Sequence, residues 1–182
     1  MADKSELEDI ATQLGYAVVV WGMLENTIRE LFRDVVLTDD RDKRVQAIIL
    51  SETPLRAQIG MIKKAAGLRQ PGQGDWLKRL TDSLNLVAGR LHEERNRLVH
   101  DLWEQQENGE VMKIVRGKQE VAASKKADEW QLVIAEPQPA LAGEIETFFH
   151  EAADQIDVLS KCWIEFGEWK LGQMKAQRAR QL

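Results

Sequence analysis

The stretch Glu94-Arg95-Asn96-Arg97-Leu98-Val99-His100-Asp101-Leu102-Trp103 holds the residues best suited to chemistry in this chain. Arg95 supplies a permanent cation with a fork of donors that can grip a phosphate. His100 is one of three histidines, and histidine is the side chain whose ordinary pKa lies nearest neutrality. An arginine and a histidine this close can carry out phosphodiester chemistry without a metal. The other familiar routes have little support. Cys162 is the single cysteine, so neither an intrachain disulfide nor a thiolate cluster for zinc can form. His92 and His100 are eight residues apart, too far along one helix for a simple two-histidine metal pair. Gly72-Gln73-Gly74 lacks the lysine and strand that a phosphate-binding loop needs. The sequence therefore predicts no metal and no cofactor.

Helices must position this stretch. Leu7, Ile10, Leu14, Ala17, Trp21, Leu24, Ile28, Leu31 and Val35 step by three and four, which predicts one long helix over about 5–37. Glu25 lies beside that stripe, where a carboxylate needs a partner or water. Asp39 or Asp40 is placed to cap a short second helix. Thr53-Pro54 opens a third, with Thr53 as its cap, and Gly67 can end it. Asp75 can cap a fourth. There Leu77, Leu80, Leu84, Val87 and Leu91 form a stripe that continues without loss of period to Glu94 and Leu98. A last helix is predicted from about 140 to 175 on Leu141, Ile145, Phe148, Ala152, Ile156, Leu159, Trp163 and Phe166. Between these helices, Trp103–Glu107, Asn108-Gly109 and Glu110–Val115 read as a β-hairpin with an Asn-Gly turn. Trp130–Ile134 is a candidate third strand. The fold class is all-α: a helical bundle with two long helices and a small β-hairpin insert, residues 103–136, before the last helix.

A chain of 182 residues with 43% hydrophobic and 30% charged content fits one globular domain. The opening Met1-Ala2-Asp3-Lys4-Ser5-Glu6 has no apolar signal core, and the apolar run Ala17–Trp21 is far too short to span a bilayer. A cytoplasmic protein without membrane contact is expected. The net charge of −5 does not advertise nucleic-acid binding. Two basic stretches stand out against it. One is Lys113, Arg116, Lys118, Lys125 and Lys126; the other is Lys170, Lys175, Arg178 and Arg180. Either can be a solvated surface or a rim that guides an RNA backbone. Of the six tryptophans, Trp21, Trp76 and Trp163 fit the core. Trp103 and Trp130 lie in the insert, where packing competes with base stacking.

On an ideal helix, five residues separate Arg95 and His100 by roughly 7–8 Å of rise and about 140° of rotation. They share no face, whereas Asn96 and His100 do. Arg95 and His100 can meet at one phosphate if the helix loosens near His100. They can also meet if two copies face each other across a two-fold axis.

Arg95-Asn96-x-x-x-His100 resembles the signature of the HEPN superfamily (higher eukaryotes and prokaryotes nucleotide-binding). That signature is an arginine, often followed by a polar residue, and a histidine four to six positions on, near the end of a later helix in an all-α bundle. Trp21-Gly22-Met23-Leu24-Glu25-Asn26 on the first helix resembles the segment where the family often keeps an acidic residue. The resemblance implies a single HEPN-like domain over 1–182. It implies a homodimeric, metal-independent endoribonuclease, of a toxin or phage-defence kind, that leaves a 2′,3′-cyclic phosphate. Arg95 and His100 would then be catalytic, with Asn96 and Glu25 supporting them. Arg97, Lys113, Arg116 and Lys118 are candidate RNA contacts, and a cognate antitoxin or defence partner is implied. The rival reading is a non-catalytic HEPN-like dimeric module that binds RNA, a nucleotide or a protein partner.

Overall fold

The computed structural model describes residues 6–37, 43–69, 75–107, 110–114, 138–139 and 142–180. The all-α reading holds. The helices are α1 (Glu6–Val35), α2 (Lys43–Glu52), α3 (Leu55–Arg69), α4 (Trp76–Leu86), α5 (His92–His100) and α6 (Ala142–Ala179). A π-helical turn, Val87–Leu91, joins α4 to α5. Three short strands, β1 (Leu102–Gln105), β2 (Val111–Ile114) and β3 (Gln138–Pro139), form one antiparallel sheet in the order β1-β2-β3.

The chain forms two compact units, one of residues 1–19 and 93–149 and the other of 20–92 and 150–182. In the first, the stripe residues Ile10 and Ala17 of α1, Leu98 of α5, Val111 of β2, and Ile145 and Phe148 of α6 are buried. In the second, Trp21, Leu24, Ile28, Leu31 and Val35 of α1 are buried, and so are Leu80 and Leu84 of α4 and Leu159 and Phe166 of α6. Every third or fourth residue is thus withdrawn from water, the spacing that puts side chains on one face of a helix. Apolar burial of this kind is the main favourable term in folding.

Several predicted ends move. Thr53 does not cap α3: its hydroxyl donates back to the Ile49 carbonyl at the end of α2, 2.5 Å away. The joint is closed instead by Gln58, whose Nε2 donates to the carbonyls of Leu50 (3.2 Å) and Thr53 (2.8 Å). Gly67 does not end α3, which runs on to Arg69. Asp75 stands at the N-cap position of α4 but makes no side-chain cap, its backbone being already helical. Its carboxylate lies instead 3.6 Å from Arg79 Nε. In the α4 stripe Trp76 is buried and Leu77 only half-buried. Asp39, Asp40 and Leu141 lie outside the described residues.

The hairpin pairs as predicted, Trp103 opposite Lys113 and Gln105 opposite Val111. The third strand is the exception. Gln138 and Pro139 pair with Lys113 and Met112, while Trp130–Ile134 lie outside the described residues. Pro139 lacks a backbone N–H, which suits it to an edge position.

Trp76 and Cys162 lock α4 to α6. The Trp76 indole donates to the Cys162 carbonyl at 2.9 Å. Arg79 adds a forked pair to Glu165, its closest contact 2.8 Å. Burial pushes the Cys162 thiol above the ordinary range for cysteine, because an apolar setting disfavours the thiolate. Cys162 is therefore expected to resist alkylation at neutral pH in the folded protein and to react fully in denaturant. A thiol titration with and without guanidinium checks this, and rapid labelling of the native chain would contradict it.

Candidate active site

Arg95, Asn96, Arg97 and His100 all belong to α5 and to the first unit. The helix stays regular to His100, its last residue, and the Asp101 N–H continues the ladder by donating to the Arg97 carbonyl at 2.9 Å. The helix therefore does not loosen ahead of His100. Arg95 and His100 stay on different faces of it, about 140° apart by helical geometry.

Arg95 is half-buried. It lines a small recess with Leu14, Ala17 and Val18 of α1, Leu98 and Val99 of α5, and Phe148 of α6. Its Nη1 donates to Asn96 Oδ1 at 3.1 Å, which restrains a long side chain that would otherwise sample many rotamers. Asn96 is half-buried too, while Arg97 and His100 are exposed. His100 is thus open to solvent and to a ligand. Asp101, which the sequence reading did not single out, is buried at 7% exposure and engaged by its neighbours. A carboxylate withdrawn from water next to the histidine sets a negative charge at this helix end. Its only signal in the sequence is its place directly after His100.

The surface beside Arg95 is apolar. Val18 and Val99, which share its recess, are 50% and 40% exposed, and Tyr16 and Val19 on α1 are 61% and 60% exposed. None of Tyr16, Val18 or Val19 belongs to the predicted stripe. Contiguous exposed apolar groups of this kind mark interaction surfaces more often than scattered single residues do.

The remaining predicted residues are placed differently. Glu25 belongs to the second unit, half-buried, and its Oε1 accepts a hydrogen bond from the Trp21 indole at 2.7 Å. The acceptor that the sequence assigned to Arg95 is thus occupied on its own helix. His92 packs edge-on to Trp21, with ring centroids 6.0 Å apart. Lys113 is not on a basic rim. It is buried at 8% exposure, pairs with Glu144 at 2.5 Å and lies 5.9 Å from the centre of the Trp103 ring. Strand alternation turns it inward, where its stem packs and its ammonium is paired. Trp103 in turn donates to the Leu98 carbonyl at 3.2 Å, so it anchors the sheet to α5. Arg116 and Lys118 lie outside the described residues. Lys113→Ala is expected to destabilise the protein by about 1–2 kcal/mol through lost packing and pairing. It should leave RNA affinity unchanged in the folded state; thermal melts and a binding titration check both.

Among the described residues, no group of three or more histidine, cysteine, aspartate or glutamate side chains gathers as a metal site would. No described helix is long and apolar enough to cross a membrane. The chain matches no known family model, no curated protein and no solved structure.

Proposed function

We propose that this chain is a metal-independent endoribonuclease of HEPN type that works as a homodimer, in a toxin or phage-defence setting. The observation that carries the reading is the regular course of α5 through His100. It keeps Arg95 and His100 apart within one protomer and makes each motif half of a site. The exposed apolar side chains beside Arg95 support a second copy docking there.

In the shared cleft, one His100 takes the proton from the 2′-hydroxyl as that oxygen attacks phosphorus. The His100 of the second copy gives a proton to the departing 5′-oxygen. Arg95 holds the charge that builds on the non-bridging oxygens, with Asn96 limiting its motion. The products are a 2′,3′-cyclic phosphate and a 5′-hydroxyl. No electrons are transferred and no metal is required.

Purified protein is expected to cleave RNA with undiminished rate in excess chelator, and to leave termini that resist extension until the cyclic phosphate is opened. Loss of cleavage in chelator would refute the mechanism. Tight RNA binding without cleavage, unchanged in Arg95→Ala and His100→Ala, would favour the non-catalytic module instead.

A further inference from the structure

The second unit holds a half-open cavity of about 500 Å³ to which α1, α2 and α6 each contribute a cation, namely Arg33, Lys43 and Lys170. Its one lining carboxylate, Asp34, is already used at both oxygens. Oδ1 accepts from Arg33 Nε at 3.3 Å and Oδ2 from the Trp163 indole at 2.7 Å. Arg33 also pairs with Glu30. Neither Lys43 nor Lys170 forms an ion pair with any described residue. Two ammonium groups thus face one cavity without a counter-charge from the described residues, an arrangement that costs repulsion and that folding does not require. The opposite wall is apolar, formed by Leu37, Ala47 and Leu50.

We infer that this cavity binds a small phosphate monoester carried on an apolar or aromatic body. The dianion would sit between Lys43 and Lys170, with Arg33 and the indole-bound Asp34 fixing the floor, and the apolar wall would take the body. The volume lies in the usual range for small-ligand sites, and charge-assisted bonds from ammonium groups to phosphate are the strong kind. A partly enclosed cavity with an apolar wall suits a compact ligand better than a polymer backbone.

The indole N–H of Trp163 reports on the site through Asp34, so the test is a titration of ¹⁵N-labelled full-length protein. Phenyl phosphate is the probe, with inorganic phosphate and phenol as controls. Phenyl phosphate should shift the Trp163 indole signal saturably, inorganic phosphate more weakly and phenol not at all. The Trp163→Phe variant assigns the signal. Lys43→Gln with Lys170→Gln should weaken phenyl phosphate binding by about tenfold or more, and Lys43→Arg with Lys170→Arg should retain it. The other indole signals, unchanged, verify the fold of each variant. Equal binding of phenol, no saturable shift, or undiminished affinity in the glutamine variant would overturn the inference. So would a response to single-stranded RNA with none to phenyl phosphate.

Discussion

An equimolar mixture of wild-type and His100→Ala chains, allowed to exchange subunits, is expected to cleave RNA at about a quarter of the wild-type rate rather than half. The arithmetic follows from the geometry of α5. If one cleft takes its acid from one copy and its base from the other, only dimers with two intact histidines turn over normally, and random pairing makes those about one in four. A protomer that worked alone would lose activity in proportion to the mutant fraction. Homogeneous His100→Ala and Arg95→Ala proteins should each fall by at least about 10²-fold, the usual scale for losing a general acid–base or an electrostatic stabiliser. His100 is exposed, so its replacement leaves the core intact, and far-UV circular dichroism should match wild type. Single-turnover cleavage of a labelled RNA measures all three. A linear dependence on wild-type fraction would sink the shared site, and full activity of His100→Ala would sink the catalytic role.

What the sequence could and could not disclose follows from the range of the forces involved. The helical stripes are set by local periodicity, and the side chains they singled out on α1 and α6, such as Leu24, Ile28, Phe148 and Leu159, are buried. The Asn108-Gly109 signal likewise placed the two strands that flank it. Caps were less readable, because a cap residue chooses among several local partners. Thr53 bonds back to Ile49, and Asp75 lies near Arg79 rather than a backbone N–H. At the candidate site, the face separation of Arg95 and His100 could be worked out in advance. The ties of Glu25 to Trp21 and of Lys113 to Glu144 could not, since several acceptors and donors are equally compatible with the spacing. The basic stretch around Lys113 shows why a charge run is a poor guide in a strand, where alternate residues face opposite ways and one cation can be drawn inside.

The most exposed clue was hidden in plain composition. Tyr16, Val18 and Val19 are apolar residues out of phase with the α1 stripe, and they remain in solvent. If they form the face on which a second copy docks, Val19→Asp must separate the copies. A carboxylate trapped without a partner in an apolar interface costs about 3–5 kcal/mol, which weakens dimerisation by at least about 10²-fold. In a monomer the same side chain stays in water, because Val19 is 60% exposed, so stability should change little. Ile48→Asp on α2, at an apolar position just as exposed at 61%, is the control and should leave the assembly unchanged. Sedimentation velocity is expected to show wild type and Ile48→Asp as dimers and Val19→Asp as a folded monomer, with RNA cleavage lost in parallel. A Val19→Asp protein that stays dimeric would place the interface elsewhere. A folded monomer that still cleaves would mean that one chain brings its arginine and histidine together without help, against the geometry of α5.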